Sequence, residues 1–262
     1  MREPTDHPTE ADPIRRAQEQ MKRPLPKRFY TEATVAEHAE GYGVALDGRL
    51  LRTPAKKVLA VPSRALAESL AAEWHAQESE IDPARMPLTR LANTALDGVA
   101  NERQAVAEDI VRFAATDLLC YRADAPEGLV ERQGEHWDPM IDWAHAALGT
   151  RFVLVEGVMH ADQPRETIAA FSASLKRYAD VFELAALHTV TSLTGSAILA
   201  LALAEGEITA DEAWTAAHVD EDWNIEQWGG DAEAAARRAK RRQDMDAAAE
   251  TLQALRRDCS DR

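Results

Sequence analysis

Forty-five carboxylates, eight histidines and two cysteines are the side chains of this sequence that could carry acid–base, metal or nucleophilic chemistry. His7, His38, His75, His136, His145, His160, His188 and His218 are scattered, with no HExxH pair or other ligand spacing, so no metal site is expected. Cys120 and Cys259 have no CxxC or Cys/His neighbourhood, which signals neither a zinc site nor a disulfide framework and suggests a reducing compartment. Cys120, in DLLCYR, is expected on an apolar helix and reads as a buried, unreactive thiol. GxSxG, SxxK and GxxxxGK[ST] are absent in any strand–turn–helix context, so neither nucleophilic catalysis nor nucleotide binding has local support, and no cofactor is expected. Acid pairs such as Asp109 with Asp117, or Glu131 with Glu135, have the right groups for general acid–base work. Against so many carboxylates they are background and read as solvated helix faces.

The tryptophans are more informative. Six occur, at 74, 137, 143, 214, 223 and 228. Trp137, Trp143 and Trp214 read as core, whereas Trp223 and Trp228 lie in DEDWNIEQWGG (220–230), with acids before them and glycines after. Two readings stay open for this segment. Its tryptophans and acids could face a partner, as indoles at interface centres often do, or they could anchor a helix whose N-terminal dipole the acids oppose.

These residues need a frame to hold them. FYTEATV (29–35), YGVALDGRLLRT (42–53) and VLAV (58–61) read as strands, with Asp47-Gly48 a hairpin turn, and Ser63 caps a helix whose Leu66, Leu70 and Trp74 share one face. From about residue 88 the period is helical. Segments begin at TRLANTALDGVA and AVAEDIVRFAATDLLCY; a third starts after Asp138-Pro139 and stops at Gly149. DVFELAALHTVTSLTGSAILALALAEG reads as one central helix, and TADEAWTAAHVDEDWNIEQWG follows with Thr209 and Glu212 in capping-box spacing. The expected fold class is α+β, a small amino-terminal antiparallel sheet with a packed helix followed by an all-α helical bundle. The expected boundaries are a polar, loosely ordered tail (1–26), a small α+β domain (27–87), a helical bundle (88–235) and a charged carboxy-terminal helix (236–262) on the outside of the bundle or extending from it.

Bulk properties narrow the function. At 262 residues the chain can bury a proper core without cross-links. Its formal charge of −15 argues against a nucleic-acid partner, because phosphates are held by lysine and arginine. The longest apolar stretch, GSAILALALA (195–204), is far short of the ~20 residues a membrane helix needs, so no membrane insertion is expected. The amino terminus has no apolar signal region and carries several acids, which suggests a bacterial-type cytoplasmic protein.

AAEWHAQ (71–77), TRLANTALD (89–97), DLLCYR (117–122) with PEGLVERQGEHWDPMIDWA (126–144), and DEDWNIEQWG (220–229) come in the order and approximate spacing seen in one family. The sequence resembles the ATP synthase assembly chaperones that attend the alpha subunit of the catalytic sector, over about residues 27 to 230. The resemblance implies a two-domain protein without catalytic activity that binds newly made alpha subunit, keeps it from aggregating and yields it to beta subunit; a mitochondrial-matrix location is implied for eukaryotic relatives. It places the family's AEW tryptophan on Trp74 and its important acid on Asp220 or Glu221. Val219 stands where the family usually has leucine and Asn224 where it has glutamine, which leaves that register open by one position. The expected partner-binding residues are Asp220, Glu221, Trp223, Glu226 and Trp228, with Trp74 packed between domains. The transient partner is the alpha subunit, and the free protein is expected to be a monomer. The contrasting reading is a small-molecule enzyme using carboxylates in an interdomain cleft.

Overall fold

A computed structural model of the protein describes residues 24–157 and 161–260; most of the amino-terminal tail therefore lies outside the described residues, as does His160. The chain begins with a small sheet of β1 (Ala33–His38), β2 (Gly41–Leu46), β3 (Arg49–Leu50) and β4 (Ala60–Val61), in which β2 pairs antiparallel with the other three. The β2–β3 hairpin turns at Asp47 and Gly48, whose φ values of 47° and 78° are those of a type I′ turn. Against β1 and β2 lies α1 (Arg64–His75), with Ser63 accepting from the Leu66 amide at its start and Leu66, Leu70 and Trp74 buried along one face.

The remainder is helical. It comprises α2 (Pro87–Asp97), α3 (Arg103–Ala115), α4 (Glu127–Leu148), α5 (Arg165–Leu175), α6 (Val181–Thr194), α7 (Ala197–Glu205), α8 (Ala210–Ala217), α9 (Val219–Trp228) and α10 (Ala232–Ser260), with a parallel pair β5 (Tyr121–Arg122) and β6 (Val155–Glu156). The fold class read from the sequence is therefore the observed one, α+β with a helical carboxy-terminal part. Four segments differ from the local reading. The helix expected through AVAEDIVRFAATDLLCY stops at Ala115, and Cys120 ends a short 3-10 turn, Leu118–Cys120, ahead of β5. The expected central helix is two, because Gly195 at φ 71° ends α6 in the left-handed region and Ser196 caps α7 afresh. The helix carrying Pro139 starts at Glu127 rather than at the proline, which sits inside α4. The segment from Thr209 divides at His218 into α8, opened by the expected Thr209–Glu212 capping box, and α9.

A single hydrophobic core runs through both parts. All of Ala197 to Ala204 in α7 is buried, and α6 packs against α3, α2, α7 and α10. The last helix presents charge along its first half but buries Met245, Ala248, Leu252 and Leu255, packing on α6 and α2 and also on α1. Asp117, expected on a solvated face, is instead fully buried. Its carboxylate accepts from the Leu119 amide at 3.1 Å and the Ile198 amide at 3.0 Å, adding to the Ser196 cap at the buried start of α7. A buried helix start needs an acceptor, which a periodicity pattern does not reveal.

Candidate interaction surface on the ninth helix

The candidate residues from 220 to 228 all fall on α9, and their helical spacing divides them. At about 100° per residue, Glu221, Ile225 and Trp228 lie on one face, while Trp223 and Glu226 lie on another, turned towards α4. The second face is committed within the chain. Arg132 of α4 grips Glu226 with both guanidinium nitrogens at 2.8 Å, which holds the Glu226 carboxyl below the usual carboxylate range. The same guanidinium sits 5.3 Å from the centre of the Trp223 ring. The outer edge of the Trp223 indole also reaches Gly128, where an added Cβ would stand 2.9 Å from the ring and force it to shift. Asp220, in the first turn of α9, accepts from Gln133 Nε2 at 2.7 Å.

Neighbouring acids are used differently. Asp222 pairs with Arg238 of α10. Glu221 has no cationic partner of that kind; its carboxylate lies 3.9 Å from His218 Nε2. His218 is buried, donates from Nδ1 to the Trp214 carbonyl at 2.7 Å and stacks on the Trp214 ring at 4.0 Å. Because a carbonyl can only accept, Nδ1 carries the proton, and burial lowers the His218 pKa, so the imidazole facing Glu221 is neutral. Among the described residues neither Asp220 nor Glu221 pairs with a lysine or arginine; Asp220 is held by the Gln133 amide, and Glu221 is the acid of the open face without a cation.

Trp228 is 85% exposed at the end of α9, whereas Trp74, Trp137 and Trp214 are buried. Ile225, one turn earlier, is also exposed, and the sequence reading did not single it out. The available signal was its spacing, four residues after Glu221 and three before Trp228. Between α9 and α10 lies a groove of about 380 Å³, lined by Ile225, Glu221, Trp214 and the small residues Ala234, Ala235 and Ala239. Gly229, in a backbone conformation reserved for glycine at φ 85° and ψ 161°, turns the chain from one helix to the other.

Trp74 lies far from this segment in sequence, at the end of α1. Its ring packs on Tyr30 with centroids 5.8 Å apart, and the Tyr30 hydroxyl donates to the Trp74 carbonyl at 2.6 Å. The tie between the sheet unit and the helical part that sequence reasoning missed is its neighbour Glu73. This carboxylate accepts from the Leu88 amide at 2.9 Å and from the Thr89 amide and hydroxyl at 2.8 and 2.6 Å, capping α2 from another element. Among the described residues no group of three His, Cys, Asp or Glu side chains is arranged to hold a metal ion, and no helix is long and apolar enough to cross a membrane.

The family profile described as "ATP12 chaperone protein" matches residues 27–145, which span the sheet unit, Glu73, Trp74 and most of α4. The crystal structure of Atp12 from Paracoccus denitrificans is 41% identical and superposes with a TM-score of 0.82, covering 87% of this chain and 98% of that one. The chain belongs to the ATP12 chaperone family. A putative chaperone from Agrobacterium tumefaciens is similar at 61% identity, with a TM-score of 0.85 over 94% of this chain and 92% of its own. The mitochondrial protein atp12 of Schizosaccharomyces pombe is 27% identical over 226 residues, 79% of this chain and 76% of that protein. Within the family frame, the profile match takes in Gly128, Arg132 and Gln133, the α4 side of the α4–α9 contact, and ends before α9 itself.

Proposed function

We propose that this chain serves the assembly of ATP synthase by binding unassembled alpha subunit through the open face of α9, preventing its aggregation and yielding it to beta subunit. Trp228 and Ile225 supply apolar contact and Glu221 supplies the charge, while Asp220, Trp223 and Glu226 fix α9 on α4 and border the contact. The observation that carries this reading is the exposure of Trp228, 85% in a chain that buries most of its other indoles. A large apolar side chain on an ordered helix end, next to an acid without a cation, suits a partner with its own apolar surface and positive charge. The protein acts as a binding protein rather than an enzyme, free in the cytoplasm, monomeric between clients and without a cofactor.

Co-expression with alpha subunit tests this directly. A soluble complex should elute together on size exclusion, and Trp228→Ala should lower the recovered alpha subunit while leaving the helical circular dichroism of the chaperone unchanged. Alpha subunit that stays insoluble, or that is recovered equally with the variant, removes the basis for this reading.

A further inference from the structure

A second opening lies away from α9, between α3 and the end of α5. It has a volume of about 370 Å³, within the range of small-molecule sites, and its walls are Ala107 and Val111 of α3, Leu175 of α5, Leu184 of α6 and the ring of Tyr178. The Tyr178 hydroxyl is turned to Glu205, to which it donates at 2.8 Å, and burial raises its pKa, so it presents the ring rather than a charge.

Charge at the mouth is of the opposite sign to the molecule. Arg103 and Lys176 line the groove from its two sides, and among the described residues neither has an ion-pair partner. The formal charge of the chain is −15, and other arginines, such as Arg112 of the same helix and Arg177 beside Lys176, each meet a carboxylate. The one acid in the lining, Glu108, is engaged by Gln104 Nε2 at 2.7 Å. Ser172 adds a hydroxyl beside the cations.

We propose that this groove binds a small anionic amphiphile, an apolar acyl or aryl body with a single carboxylate or sulfonate head. The body takes the place of water against Val111, Leu175 and Tyr178, and the head lies between Arg103 and Lys176. Arg103 and Lys176 outnumber Glu108 among the lining residues, so the lining itself carries a net positive charge in a molecule that is acidic as a whole.

Fluorescence titration of the full chain with 1-anilinonaphthalene-8-sulfonate tests the site, with N-phenyl-1-naphthylamine as the same kind of aromatic body lacking the sulfonate. One saturable sulfonate site per chain is expected, displaced by laurate. R103E/K176E should weaken it by about tenfold while leaving the neutral probe's affinity within about twofold of wild type. K176E alone, at an exposed helix end, should give a smaller shift in the same direction and serves if the double variant fails to fold. Unchanged sulfonate affinity in the folded variants overturns the proposal, as does equal weakening of both probes. Loss of the site in Trp228→Ala also overturns it, by placing the probe on α9.

Discussion

At the residue scale the two acids that open α9 should separate in behaviour. Asp220→Lys deletes the acceptor of the Gln133 amide, and Gln133 is only 2% exposed, so a cost of about 0.5–1.5 kcal/mol is expected together with any effect on the client. Glu221→Lys breaks no such bond and should stay within about ±0.5 kcal/mol of wild type while impairing recovery of alpha subunit. Urea unfolding of the two variants beside the co-expression yield distinguishes them. Trp74→Arg belongs to the fold. It replaces an indole only 9% exposed by a charge without a partner, with an expected loss of about 3–5 kcal/mol, seen as low soluble yield and a lowered Tm. A variant of normal stability that fails only in binding would move Trp74 to the client interface.

Asp117 makes a prediction in pH. Burial, partly offset by its Ser196, Ile198, Leu119 and Ala197 donors, pushes its pKa from 3.8 up to about 6. Between those values the folded protein holds the proton more tightly than the unfolded chain, so this group's contribution to stability falls as pH rises through the window. Its full penalty, on the order of 3 kcal/mol, is present above about pH 6 and absent below about pH 4. Asp117→Asn removes the titration, so the wild type should gain stability relative to the variant as pH falls from 7 to 4. Parallel urea midpoints over that range would show that the carboxylate ionises normally.

At the element scale the decisive arrangement is the cross-linking of helices by side chains from other helices. Arg132 fastens α9 to α4, Asp222 and Arg238 fasten it to α10, and Glu73 joins α1 to the start of α2. Glu73→Ala leaves two α2 amides without acceptors and should cost about 1–2 kcal/mol. Hydrogen exchange at Leu88 and Thr89 should quicken more than at Leu66, whose cap is Ser63. Equal exchange in the variant and wild type would mean that water replaces the carboxylate at no cost. Helix periodicity placed most of these elements and their buried faces, including Leu66, Leu70 and Trp74. It missed the break at Gly195, where the apolar pattern continues across the left-handed glycine and Ser196 caps the next helix, and the break at His218, where no side-chain cap marks the start of α9.

For the whole molecule, the sheet unit and the bundle share one core, bridged by α10, whose Ala254 carbonyl accepts from the Ser63 hydroxyl at 3.4 Å. With the client held on an exterior helix, release by competition follows from the proposed function: beta subunit burying the same alpha surface more extensively would displace the chaperone. Purified beta subunit added to the chaperone–alpha complex should therefore liberate free chaperone without ATP turnover by it, followed by size exclusion. A stable ternary complex would place beta and chaperone on different faces of alpha and end the competition account.

Sequence alone determined the α+β class, the hairpin at Asp47-Gly48, the caps at Ser63 and Thr209, and the family resemblance, because these depend on local residue type, spacing and order. It also brought the segment from Asp220 to Trp228 forward as a candidate. Which of its side chains are open was decided only by tertiary structure. Trp223 and Trp228 look alike in DEDWNIEQWGG, yet one lies against Gly128 beneath Arg132 and the other stands in solvent. The physical reason is that exposure depends on what packs against a helix face, and here the packing comes from α4, some ninety residues earlier in the chain.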